Sequence, residues 1–178
     1  MVELDIQEND VEDRSGCWLS CFPETFTSLE ILNFANLNSD VSFDALERLV
    51  NRCKSFRVLK VNKSINLEQL QRLISQAPQL AELGTGTFTQ ELTTNQHAEL
   101  ENAFRNCKNL HTLSGLWEAK ALYLPVLYPA CTNLTFLNLS DAALRSAELT
   151  NLLAHCPRLQ RLWVSSFWPS FSIHFFSS

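Results

Sequence analysis

Apolar residues return along the chain in one short phrase, clearest at Leu134-Thr135-Phe136-Leu137-Asn138-Leu139, where Cys131 stands three residues ahead. The phrase reads Cys-x-x-Leu-x-x-Leu-x-Leu. It recurs with its first apolar residue at 29, 56, 80, 110, 134 and 159, so successive gaps are 27, 24, 30, 24 and 25 residues. Within each phrase the apolar residues alternate with polar ones, the period of a strand with one face buried. Between phrases the apolar spacing becomes helical. Phe43, Leu46, Leu49 and Val50 share one helix face, as do Leu67, Leu70, Leu73 and Ile74. A strand and a helix repeating every twenty-odd residues cannot bury their apolar faces singly and must stack. The predicted fold class is therefore α/β, a leucine-rich-repeat solenoid with a parallel concave sheet.

Local signals set the expected boundaries. Ser42 or Asp40 is placed to cap the first of these helices, and Asn66-x-x-Gln69 has the form of a capping box. A loop is expected from Thr89 to Asn95, ahead of a helix through Leu100, Ala103 and Phe104. Pro125 and Pro129 allow at most a short or kinked helix over 121–131. The stretch Leu83-Gly84-Thr85-Gly86-Thr87-Phe88 reads as a strand whose Gly-x-Gly marks an exit needing backbone freedom or close approach by a ligand or neighbouring chain. It is not a phosphate loop, because neither a third glycine at the required spacing nor Gly-Lys-Ser/Thr follows. About seven units span residues 1–164, the first incomplete, since Leu4 and Ile6 match only the second half of a phrase. Residues 165–178, with six Ser, four Phe, one Trp and no charge, form a non-repeat tail that reads as foreign to the solenoid. On this reading the solenoid is truncated at both ends.

Composition narrows the partners. The net charge is −5 and no basic run occurs, which argues against nucleic acid or an anionic membrane surface. No stretch has the roughly 20 consecutive apolar residues of a membrane span, and the first residues lack the basic start and apolar core of a secretory signal. An intracellular protein is expected, so the Asn-x-Ser/Thr triplets at 62, 133 and 138 are chance matches. Cys53, Cys107, Cys131 and Cys156 occupy one repeat position, which Ala77 fills in another unit. Spaced by helix packing at about 8–10 Å, they are too far apart for disulfides and read as small buried side chains. Cys17 and Cys21 with the four histidines lack zinc-module spacing.

Alternation then assigns the concave surface. Its central row is Asp5, Asn33, Lys60, Gly84, Ser114, Asn138 and Trp163, with Val58, Asn62, Glu82, Phe136 and Arg161 beside it. Such a mixed polar and aromatic lining suits a protein partner. Lys60 and Arg161 lie roughly 20 Å apart by strand spacing, too far to share an anion, and read as solvated charges. No catalytic, cofactor-binding or metal residues are assigned, and no enzyme activity is expected.

Several stretches are more specific than a generic repeat. They are Glu3 to Glu8, Phe43 to Val50, Ala77 to Gly86 with its Leu-Gly-Thr-Gly, Leu113 to Trp117, and Pro157 to Val164 with its Arg-Leu-Trp-Val. Over about residues 2–164 the chain resembles the plant transport inhibitor response and auxin signalling F-box proteins. The resemblance implies a substrate-recognition subunit of a nuclear Skp1–cullin–F-box ubiquitin ligase. In that family auxin joins the repeats to Aux/IAA repressors, and inositol hexakisphosphate is a structural cofactor. It further implies that this fragment lacks the F-box that binds the Skp1-like adaptor, the inositol phosphate contacts and most or all of the hormone pocket. The alternative is a stand-alone leucine-rich-repeat interaction module or dominant regulator without hormone binding. The related jasmonate co-receptor is disfavoured by the phrases quoted.

Overall fold

The computed structural model describes residues 2–6 and 17–164. The tail at 165–178 and the acidic stretch from Glu8 to Gly16 lie outside the described residues. Seven strands form one parallel sheet in sequential order. They are β1 (Glu3–Asp5), β2 (Ile31–Asn33), β3 (Val58–Lys60), β4 (Glu82–Gly84), β5 (Thr112–Ser114), β6 (Phe136–Asn138) and β7 (Arg161–Trp163). Five helices return the chain from one strand to the next: α1 (Phe43–Arg52), α2 (Leu67–Gln76), α3 (Thr94–Asn106), α4 (Leu124–Cys131) and α5 (Ser146–Ala154). Between β1 and β2 a 3₁₀ turn at Cys17–Cys21 takes the helix's place, burying Leu19 and setting Trp18 edge-on to Phe34.

The phrase works because its leucines stack. Leu4, Leu32, Leu59, Leu83 and Leu113 are successive partners in register, as are Leu137 and Leu162. Leu32, Leu59, Leu83 and Leu113 are wholly buried, each worth about 1.5–3 kcal/mol relative to exposure. Leu4 and Leu162, on the edge strands, are only half-buried. The strand is just three residues long because the alternation ends where each chain turns outward at the rim. Thus β4 stops at Gly84, short of the strand expected to run to Phe88, and only the isolated bridge from Thr87 to Trp117 continues the pairing.

The helices follow their sequence signals with two departures. Asn66 and Gln69 complete the expected capping box, each side chain taking the other's backbone N–H at 3.0 Å. Ser42 precedes α1 but its side chain caps nothing. Helix α3 begins inside the expected loop, because Thr93 and Gln96 form a second capping box. Pro125 sits in the first turn of the eight-residue α4, where its missing N–H is harmless, and Pro129 lies inside it. Ion pairs tie neighbouring repeats, Glu30 to Arg57 at 2.7 Å ahead of β2 and β3, and Glu47 on α1 to Arg72 on α2, whose guanidinium also covers the Phe43 ring.

Candidate interaction surface

The register places most of the predicted central row on one line. Asp5, Asn33, Lys60, Gly84 and Ser114 are successive partners, and Asn138 pairs with Trp163. Its members engage each other. The Asn33 amide donates to the Asp5 carboxylate at 3.2 Å, and the Lys60 ammonium lies 3.2 Å from Glu82 on the next strand. Lys60 also lies over Gly84, where an added Cβ would stand 2.9 Å from the Lys60 Cβ. Arg161 places its guanidinium 5.2 Å from the centre of the Phe136 ring. Lys60 and Arg161 are therefore separate, as expected, but each has a partner rather than water alone. Trp163, at 64% exposure, is the largest apolar side chain left open among the described residues.

Asn62 is a correction. It is 2% exposed and lies under the rim, not beside the concave row. Its amide nitrogen donates to the Leu37 and Ser39 carbonyls at 2.8 and 2.9 Å, while its oxygen accepts from Ser64. Since β3 ends at Lys60, period-two alternation no longer says where residue 62 points.

Two further polar side chains are buried: Asn33, expected to face outward in the concave row but 6% exposed beneath its bond to Asp5, and Thr85, which the pattern did not single out. Thr85 is fully buried, and its Oγ1 accepts the Leu116 N–H at 2.6 Å and donates to the Ser114 carbonyl at 3.3 Å. The bond fixes a turn in which Gly115, Leu116 and Glu118 have φ of 83°, 56° and 58°. Leu116 and Glu118 are costly in this region, and the turn is held further by Phe88 N–H on the Trp117 carbonyl and Glu118 N–H on the Asp141 carbonyl. The expected close approach at Gly86 is real, for a Cβ there would lie 1.9 Å from the Ile65 carbonyl oxygen.

Cys53, Cys107, Cys131 and Cys156 are buried, and none of the four is in a disulfide. Cys131 and Cys156 lie near enough to influence each other's ionisation, which raises the Cys131 thiol and lowers that of Cys156, while the Cys156 thiol donates to the Leu152 carbonyl at 3.4 Å. Both thiols also feel burial, which opposes ionisation. Burial alone pushes Cys107 up to about 11. His155 stacks on Tyr128 with ring centres 3.7 Å apart, and His97 stacks on Tyr123 at 6.0 Å. Among the described residues no cluster of three His, Cys, Asp or Glu is placed to hold a metal, and no helix is long and apolar enough to cross a membrane.

Sequential parallel strands, returning helices and a stacked leucine row define a leucine-rich-repeat protein. No family model matches the chain. It is 51% identical over 162 residues, 91% of its length, to a transport inhibitor response 1-like protein of rice, Oryza sativa subsp. japonica. It is 48% identical over 161 residues, 90% of its length, to GRR1-like protein 1 of Arabidopsis thaliana. Coronatine-insensitive protein 1 of Arabidopsis thaliana matches at 24% over 159 residues, 88% of this chain and 26% of that protein. The chain is thus homologous to the plant transport inhibitor response 1-like and GRR1-like F-box proteins, with the coronatine-insensitive proteins more distant. It spans 28% of the length of each of the first two relatives.

Proposed function

We propose that this chain is a repeat section of an auxin co-receptor F-box protein, the substrate-recognition subunit of a nuclear Skp1–cullin–F-box ubiquitin ligase. The observation that carries the proposal is the 51% identity maintained over 91% of the chain. Its role is to hold rather than to react: the buried leucine row makes a rigid wall, and protein partners, Aux/IAA repressors among them, are received by the parent horseshoe. Auxin and inositol hexakisphosphate are ligands of the intact parent, and the Skp1-like adaptor is met through its F-box. The repeats described here supply scaffold and part of the partner surface. Grafting residues 2–164 in place of the matching section of a transport inhibitor response 1-like receptor tests this. Auxin-dependent capture of an Aux/IAA degron by the chimera is the expected result. A folded chimera that binds its adaptor yet ignores auxin would refute the proposal. Calorimetry on the 178-residue chain alone is expected to show no auxin binding, and micromolar affinity there would overturn the assignment of the pocket to other parts of the parent.

A further inference from the structure

The turns leaving the strands form one rim of the sheet, and a cleft of about 220 Å³ opens in it. Ala35, Asn36, Leu37 and Asn38 line it after β2, Lys63 after β3 and Trp117 after β5. The intervening exit of β4 carries Gly84 and Gly86 and so adds little bulk between Lys63 and Trp117. Two buried side chains build the walls. Asn62 clamps the Leu37 and Ser39 carbonyls, fixing the Asn36 to Asn38 turn beside its own, and Thr85 clamps Leu116, fixing Trp117. The cleft therefore exists before any ligand arrives.

Its lining has one charge. Lys63 is exposed and has no ion pair among the described residues, in contrast to Lys60, and no carboxylate lines the cleft. An anionic group on a ligand would complement it. The half-buried Trp117 offers a flat apolar surface, and the exposed carboxamides of Asn36 and Asn38 each offer donors and an acceptor, the complement of a peptide group. The volume falls below the roughly 300–1,000 Å³ of small-molecule sites but accommodates one or two side chains of an extended chain. We propose that the cleft between Asn36, Lys63 and Trp117 docks an acidic peptide segment, its carboxylate on Lys63 and a neighbouring apolar side chain on the indole. The site does not depend on hormone recognition.

Fluorescence anisotropy of the whole chain with a labelled, blocked peptide of alternating aspartate and phenylalanine tests the assignment. Saturable binding is expected, weakened about tenfold by Lys63→Gln or Trp117→Ala, restored by Lys63→Arg and unchanged by Lys108→Gln on a different part of the surface. Raising salt to about 0.5 M weakens binding to the unaltered chain, a measurement that needs no variant. The same peptide with asparagine for each aspartate binds at least tenfold less tightly. Equal binding of both peptides, absence of binding, or indifference to Lys63→Gln overturns the proposal. Binding of phenylacetate with no binding of the peptide overturns the peptide as occupant.

Discussion

Replacing Thr85 by valine keeps the side chain's volume and deletes one oxygen. In the native chain that oxygen accepts the Leu116 N–H at 2.6 Å inside the fold and donates to Ser114 at 3.3 Å. The two losses are unequal. The Ser114 carbonyl keeps the Thr85 backbone N–H at 2.9 Å, so it remains satisfied and its loss is small. The Leu116 N–H has no replacement in its φ of 56°, and a buried orphan donor costs about 1–3 kcal/mol. The sum is about 2 kcal/mol, which for a chain of this size lowers Tm by about 4–8 °C. Thermal unfolding by circular dichroism measures it, and urea titration at constant slope excludes a change in the unfolded chain. Thr112→Val, whose hydroxyl touches only the exposed His111 ring, serves as control and stays within about 0.5 kcal/mol. A Thr85→Val chain melting within about 1 °C of the parent would refute the reasoning. So would an equal loss from the control.

Three further outcomes follow from the same geometry. Gly86→Ala forces a Cβ to within 1.9 Å of the Ile65 carbonyl, whose hydrogen bond from Thr87 N–H must shift, so it destabilises by about 1–3 kcal/mol in urea unfolding. Asn62→Ala orphans the Leu37 and Ser39 carbonyls and costs about 2–3 kcal/mol by the same assay; a neutral result would place water, not the amide, on those carbonyls. Burial raises the Cys107 thiol from 9.0 to about 11, so folding favours the protonated form. That stabilisation is intact below pH 9 and is lost as pH rises toward 11, by about 2 kcal/mol. The stability gap between the parent chain and Cys107→Ala therefore narrows over that window, and a constant gap would contradict the shift.

The fold was legible because one chemical demand, burial of a leucine in every turn, is written at nearly regular intervals and met without exception on the inner strands. The Asn66 and Gln69 box was legible for a similar reason: both partners lie within four residues. The site was less so. Asn62 looked like a concave residue because alternation was carried past Lys60, where the strand ends. Thr85 looked like a strand residue, and nothing local announces that its partner, Leu116, lies 31 residues away. The proximity of Cys131 and Cys156 was hidden likewise, since it depends on how two turns settle against each other and not on the repeat period.

The polar pairs divide the concave face unevenly. Across β1 to β4 the concave row satisfies itself, with Asn33 on Asp5 and Lys60 on Glu82, so a partner laid there gains only what it returns after breaking those pairs. Two places are not settled in this way. At β7, Trp163 is open, beside an Arg161 already oriented by Phe136. At the rim, Lys63 is a charged group without a counter-ion among the described residues, next to a half-buried indole. The longest interval between phrases, 30 residues, starts from β4, which ends at Gly84 and is followed by Gly86. Gly86 lets this exit lie against the Ile65 turn, and Gly115 lets the next turn lie against Thr85, whose hydroxyl holds Leu116 and with it Trp117 at the cleft.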